Sequence, residues 1–313
     1  VLSTISKRLL TVIPMLWAIA TMAFLLVNLM PGSPGRTILG ESATPEAVEA
    51  LNEQMGYNRP LVVQYWSWLT GVLTGDFGTS LQTGRPAITD VNSRLPITLS
   101  VVIGAVILTV VIGVTFGVLS AMSSRRVDRG TQAVSSLMMS VPSFWLGALL
   151  VLVFSVKLGM FPSVGYVPVE QSFSGWLSSI TLPAISVGAV GVAAISRQTR
   201  GAMLDVLGND YIRTLRATGI PHRSLVFRHA LRNASIPIVT SVGFQFIGLL
   251  GGTVIVEQVF ALNGLGALTL QAVNAKDLPM ILTVVICTTT IVLAVNLLVD
   301  IANSWLNPKM RRS

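Results

Sequence analysis

Charge is scarce in this chain. Only 11% of its 313 residues are Asp, Glu, Lys or Arg, against 52% hydrophobic, and the mean hydropathy is +0.72. Soluble domains carry about a quarter charged residues, so an ordinary soluble fold is excluded and a membrane protein is indicated. Lysine is rarer still, with Lys7, Lys157, Lys276 and Lys309 the whole set, none of them after a glycine. A nucleotide-hydrolysing P-loop needs that Gly-Lys step to cradle phosphates, so the chain cannot hydrolyse ATP by this route. The two histidines, His222 and His229, stand seven apart. A helical zinc site wants them four apart, so no metal site is expected. Both histidines fall in one basic loop, which leaves no Ser/His/Asp arrangement elsewhere. The single cysteine, Cys287, permits neither an internal disulfide nor a thiolate metal cage. Acids near the middle of apolar runs are also lacking: Glu257 and Asp300 lie at run ends, and Asn28, Gln245 and Asn296 are neutral. Proton- and sodium-driven carriers place an acid at mid-membrane, so that class is disfavoured.

What is present is long apolar runs. A helix rises 1.5 Å per residue, so crossing a hydrocarbon core of about 30 Å takes roughly 20 residues. Six stretches are candidates: Leu9 to Met30, Ile97 to Met122, Ala133 to Val156, Ile180 to Ile195, Ile236 to Val256 and Met280 to Ile301. The first is longer than a signal-peptide core and has no clear cleavage site, so it reads as a retained helix. The fourth is only 16 residues long and spans if Ser196 and Gln198 continue it. The expectation is an all-α membrane protein with six transmembrane helices, one permeating domain over 1–313.

Basic loops stay in the cytoplasm. With the N-terminus inside, 15 of the 21 Lys and Arg residues fall on the cytoplasmic side and nine of the 13 acids outside. Both ends of the sequence are thus expected inside. Residues 31–94 form an outer insertion. Within it Thr44 is placed to cap a helix that begins at Pro45 and closes at Gly56. A second helix after Pro60 carries Leu61, Tyr65, Trp68, Leu69 and Val72 on one face, expected against the membrane interface. In the spans, Gly113 and Gly117 make a GxxxG step, while Gly243, Gly248, Gly251 and Gly252 crowd the fifth run. Such glycines mean either close helix packing or backbone lining a path.

The remaining charge is concentrated. Residues 211 to 233 hold five arginines and both histidines, inside a cytoplasmic segment spanning 197–235. Asn209 or Asp210 can cap a short helix to 218, with Ile212 and Leu215 on one side and Arg213 and Arg216 on another. Gly219, Ile220 and Pro221 then break it, and a second helix runs on with Arg228 and Arg232 one turn apart. Arginines that only enforced topology or bound anionic lipid would need no such corner, whereas a projecting elbow gives another protein something to grip. The basic residues lie between apolar runs and not on a soluble domain, so no nucleic-acid partner is expected.

The stretch DYIRTLRATGIPHRSLVFRHALRNASIPIVT (210–240) resembles the coupling-loop signature of ABC-importer permeases, in the form typical of dipeptide, oligopeptide and nickel importers. The general permease motif begins Glu-Ala-Ala with a glycine six positions after the Glu. Gly219 keeps that place, while Arg213, Thr214 and Leu215 replace Glu-Ala-Ala. His229, Ala230, Leu231 and Arg232 stand where Ile-x-Leu-Pro is usual. LMPGSP (29–34), with Ser33 for a common Asp, GDFGTS (75–80) and GGTVIVEQVFALNGLG (251–266), with Asn263 for a frequent Pro, are similar to three further family stretches in the same order.

The resemblance implies a type I importer permease fold in the plasma (inner) membrane of a prokaryote, multi-pass in the lipid bilayer. It implies a homologous second permease subunit, two ABC ATPase subunits or domains and an extracytoplasmic substrate-binding protein. The chain itself holds no cofactor, ATP and Mg being bound by the partner subunits, and it is not an enzyme. The residues expected to couple to the ATPase are Asp210, Arg213, Arg216, Ala217, Gly219, Pro221, Arg228, His229 and Leu231. Arg213 and Arg216 contact either the ATPase or lipid. Gln245, Gly251, Gly252 and Glu257 are candidates for the pathway or its gate. Glu257 either meets a peptide amino group, seals an outer gate, or braces the loop after it. The leading function is an ATP-driven peptide-importer permease; the alternatives are a channel or secondary carrier without an ATPase, and a membrane scaffold or enzyme subunit that moves no solute.

Overall fold

The computed structural model describes residues 2–29, 33–40 and 42–306, with side chains described from Leu10 onward. The described residues are nearly all helical. Helix α1 is Leu2–Asn28, α2 Pro34–Leu39, α3 Pro45–Gln54, α4 Leu61–Leu73, α5 Ala87–Met122, α6 Arg125–Ser140 and α7 Ser143–Leu150. Then follow α8 Phe173–Leu207, α9 Asp210–Ala217, α10 His222–Ser224, α11 Leu231–Val259, α12 Leu265–Asn274 and α13 Leu278–Leu306. A π-helical stretch, Val151–Lys157, prolongs α7, and another, Leu225–Ala230, joins α10 to α11 into one helix from His222 to Val259.

Among the described residues, five helices are long and apolar enough to cross a membrane: Leu10–Asn28, Ala87–Met122, Phe173–Leu207, His222–Val259 and Leu278–Leu306. A sixth span exists only if the pair Arg125–Ser140 and Ser143–Lys157 is one, and that pair bends by 96°. The candidate span over Ala133 to Val156 is therefore a broken helix. The cause is Pro142: the residue before a proline is pushed out of the helical region, and Val141 sits at φ −91°, ψ 121°. The fourth run, short on apolar residues, is a helix of 35 residues and the most buried of the spans. Its polar ends do continue it.

The chain forms two compact units, one comprising Val1–Ile5, Ile97–Leu262 and Ala294–Ser313, the other Ser6–Pro96 and Asn263–Leu293. The second unit has a core of Phe24, Val27, Ala87, Val91, Leu268 and Met280. Thr44 caps α3 as its sequence requires, its hydroxyl accepting the Ala47 N–H at 3.3 Å. Ser33 caps α2 in the same way, which explains why serine can stand where aspartate is common, since both are good caps. Met30, Pro31 and Gly32 of that motif lie outside the described residues. The aromatic face of α4 turns inward: Trp68 stacks on Phe24 and Tyr65 meets the same ring edge-on, both 5.4 Å between centroids. Trp66, by contrast, is 56% exposed.

In the first unit α5 and α8 touch backbone to backbone. A Cβ built on Gly113 would lie 3.0 Å from the Ile195 Cβ and the Val192 carbonyl, and one on Gly191 2.6 Å from the Thr109 hydroxyl. At Gly117 the Thr199 Cβ comes closer still. The GxxxG step is thus a packing device. Lipid tails are as apolar as leucine, so helices associate here by close van der Waals fit and not by a hydrophobic force.

That fit is testable by substitution. Gly117→Leu is expected to cost about 1–3 kcal/mol, the range for overpacking a tight site. Gly130→Ala, on α6 where an added Cβ meets nothing within 4 Å, should leave stability unchanged or raise it. Thermal unfolding of the purified variants in nanodiscs checks both, and equal midpoints would contradict the close-fit account.

Candidate functional site: the basic elbow

The elbow forms because its sequence switches helix off and on within four residues. Asn209 precedes α9 in an extended conformation, and Asp210 sits in the first turn, where the helix dipole favours an acid. After Ala217 the Gly219 N–H bonds the Arg216 carbonyl at 3.1 Å and the Ile220 N–H the Leu215 carbonyl at 3.4 Å. These are the two bonds of a Schellman stop, which needs a left-handed residue between them. Gly219, at φ +79°, supplies it. Pro221 follows at φ −55° and starts the next helix as its cap residue, one place earlier than the first-turn position.

What holds the elbow in place lies beneath it. Ile212 and Val226 are fully buried and Leu225 is 1% exposed. Val226 and Ala230 join Met203 and Ala202 of α8, Val118 of α5, and Ala234 and Ile238 of α11 in one apolar cluster. Across the corner, Asn233 donates to the Tyr211 hydroxyl at 2.9 Å and to the His229 carbonyl at 3.0 Å, tying the two arms together. Burial of this kind on both arms leaves the corner little freedom to flex.

The upper face presents the expected residues together. Asp210, Arg213, Arg216, Ala217, Gly219, Pro221 and Arg228 are all exposed. Arg213 and Asp210 form an ion pair at 3.3 Å with side chains 76% and 94% exposed, so water screens it and it leaves both groups available. His229 is half-buried, and half-buried Leu231 packs on the apolar cluster. Leu231 therefore serves the anchor and not the outer face.

The four pathway candidates do not converge. Along α11, Phe244, Gly248, Gly251 and Ile255 recur every three or four residues on one exposed face, Phe244 at 71%. Gly251 is open there, and Gln245 and Gly252 lie half-buried at its edge. Glu257 falls on the opposite side of the helix, fully buried, accepting a 2.6 Å hydrogen bond from the Thr98 hydroxyl. A carboxylate so enclosed is placed to brace α11 against α5.

Two polar sites escaped the sequence reading. Asp128 of α6 is gripped by Arg200 of α8, and in the second unit Asp277 caps α13 through the Met280 N–H while accepting the Ser80 hydroxyl at 2.5 Å. The second unit also has an open cleft of about 330 Å³ lined by Tyr57, Arg59, Gln64, Trp68 and Asp76 among others. Burial, with the Asp277 carboxylate adding to it, pushes the Tyr57 phenol up to about 12, so Tyr57 stays a neutral donor throughout the physiological range.

The fold and this elbow can be set beside known proteins. Residues 113–312 match the family model described as binding-protein-dependent transport system inner membrane component, and residues 1–102 match its N-terminal companion. The chain belongs to that family. It is similar to a putative peptide transport system permease of Brucella abortus (strain 2308), at 40% identity over 308 residues and 98% of each chain. It is similar also to a glutathione transport system permease of Salmonella choleraesuis (strain SC-B67), at 39% identity over 311 residues and 99% of each. A probable peptide ABC transporter permease of Sinorhizobium fredii is 38% identical over 308 residues, again 98% of each chain. Among solved structures, the inward-facing MetNI methionine ABC transporter superposes with a TM-score of 0.59 at 19% identity, over 71% of this chain and 98% of the other, and so shares its fold. Membership makes the chain a non-catalytic transport component of the cell membrane, one that works with an ATPase and a substrate-binding protein.

The anchor beneath the elbow gives a direct test. Ile212→Ala is expected to loosen α9 by about 2–5 kcal/mol, the range for emptying a buried aliphatic site. Hydrogen exchange of the α9 amides should accelerate accordingly while the exchange of α8 stays slow. Unchanged exchange in α9 would show that Ile212 does not hold it.

Proposed function

We propose that the chain is one permease half of an ATP-driven importer of peptides. It pairs with a homologous second permease, receives cargo from an extracytoplasmic binding protein, and is driven by two ABC ATPase subunits that bind ATP and Mg. The observation that carries this reading is the elbow: an exposed basic corner, stopped by Gly219 and bolted below by Ile212 and Val226, in a chain of this transport family. A ligand shifts an equilibrium only by its differential affinity for two states, so a lever must be stiff to pass that difference on.

In this reading 197–235 is the cytoplasmic coupling segment and 31–94 the extracytoplasmic insertion, an orientation supported by the excess of Lys and Arg on the elbow's side. Asp210, Arg213, Arg216, Ala217, Gly219, Pro221 and Arg228 face the ATPase, with His229 beside them. Gly251 with Gln245 and Gly252 at its edge lines the pathway face, and Glu257 acts from behind as a brace. Peptide is the cargo class because the relatives above are named for peptide and for glutathione, itself a modified tripeptide.

The experiment is reconstitution. The chain with its co-purifying subunits should import labelled dipeptide into liposomes only with ATP, and the chain alone should carry none. Downhill peptide flux through the chain alone would favour a channel or carrier instead. Within the working complex, Gly219→Val forces a β-branched residue into the left-handed region, at a cost of about 1–2 kcal/mol. Uptake should fall while ATP hydrolysis persists, and Gly219→Asn, which tolerates that region, should retain most of it. Wild-type uptake in the valine variant would remove the corner from the coupling path.

A further inference from the structure

The Asp128 carboxylate is held from two other helices. Arg200 of α8 donates Nε and Nη2 to its two oxygens, each at 2.6 Å, and Ser120 near the end of α5 donates to Oδ1 at 2.6 Å. Thr131, one turn along α6, donates in turn to the Ser120 hydroxyl at 3.0 Å. The fork of a guanidinium on both carboxylate oxygens fixes orientation as well as distance. With Arg200 30% and Asp128 21% exposed, the pair is partly sheltered and is screened less than a surface pair.

The same α8 grips the far limb of the bend. Ser186 donates its hydroxyl to the Ser143 carbonyl at the start of α7, and a Cβ on Gly147 would lie 2.9 Å from the Ser186 hydroxyl. So α6 and α7 form a strap clipped to α8 at Arg200 and at Ser186, about 21 Å apart along the helix at 1.5 Å per residue. Between the clips the strap turns by 96° at Val141 and Pro142. Arg200 itself lies between Thr199, which is pressed on Gly117, and the Ala202–Met203 step that anchors the elbow.

We propose that the Asp128–Arg200 pair is a coupling clip that makes α6 follow α8 when the elbow is displaced. Motion of the elbow reaches α8 through Met203 and passes to α6 at Arg200, while Ser186 carries α7 along with the same helix. With the helix broken at Val141–Pro142, α6 is not held in step by α7, so the pair sets whether it follows. Asp128 and Arg200 are then positioning residues for transport, touching neither cargo nor nucleotide. This rests on the importer reading.

The test uses the complete complex in liposomes and reads ATP hydrolysed per labelled dipeptide imported. Coupled import by the wild type comes first; if it is absent the importer reading fails and the clip is not in question. Given coupled import, Asp128→Asn and Arg200→Gln should each raise the ratio about 10-fold. Asp128→Glu should stay within about 3-fold of wild type, and the swapped pair Asp128→Arg with Arg200→Asp should recover most of the loss, as coupled pairs do. Variants that assemble and keep the wild-type ratio overturn the proposal, as does a swapped pair no better than the single variants. A second measurement removes folding from the comparison. In a Cys287→Ala background, Asp128→Cys with Arg200→Cys is joined by a short bis(methanethiosulfonate), each thiolate displacing methanesulfinate to form a disulfide that a reductant cleaves, and the same sample is read before and after cleavage. Coupling should be present when joined and lost on cleavage; no change on cleavage overturns the clip.

Discussion

The contact between α5 and α8 is the constraint on which the rest of the first unit depends. Two helices in a bilayer gain little by hiding apolar surface from each other, because lipid already solvates it. They must instead approach closely enough for backbone atoms to meet, and Gly113, Gly117, Gly188 and Gly191 permit that along one side of each helix. A Cβ at Gly117, which would meet the Thr199 side chain and the Ser196 carbonyl, would push α8 outward. Everything attached to α8 would then move with it: the apolar cluster around Met203 below the elbow, the Ser186 contact to α7, and the Arg200 grip on Asp128.

Given a fixed α8, the polarity of the unit follows from its solvent. Phe244, Leu298 and Ile255 are more than half exposed, whereas Thr98, Thr109, Ser186, Ser196 and Glu257 are buried. In water such an arrangement would be inverted. Here the polar groups find partners inside, Thr98 on Glu257 and Thr109 on the Gly188 carbonyl, since hydrocarbon offers none. Small hydroxyls do this work with little volume, which is why they coexist with the glycine contacts.

Sequence pattern made several of these features legible, for definite reasons. The Thr44-Pro45 start of α3, the stop at Gly219 and the restart at Pro221 are set by local backbone preferences, so a short window carries them. The spans were legible from length and apolarity, and the basic elbow from its contrast with them. Broken α6 and α7 were missed because Val141-Pro142 lies inside a continuous apolar run, and hydropathy does not register a backbone break. The inward turn of Tyr65 and Trp68 depends on Phe24, about 40 residues away, and no local periodicity contains that contact. Glu257 was visible as a helix-end acid, but its enclosure by Thr98 is a tertiary fact. Asp128 was hidden for another reason: among Arg125, Arg126 and Arg129 it reads as one more residue of a solvated basic loop, and only Arg200, 72 residues on, gives it a partner.

These pieces together bear on how force can travel through a helix bundle. A buried apolar cluster alone resists separation but permits sliding, because dispersion contacts are individually weak and not directional. A bidentate ion pair or a hydroxyl bonded to a carbonyl fixes direction but is fragile if nothing excludes water around it. Helix α8 combines both in sequence order: a hydroxyl clip at Ser186, the tight glycine contact at Thr199, the ion pair at Arg200 and the apolar anchor at Met203. Sliding is blocked by the polar contacts and separation by the apolar ones. In the strap the helix is interrupted at Val141 and Pro142, so α6 and α7 are kept in step by their separate contacts with α8 and not by a continuous helix.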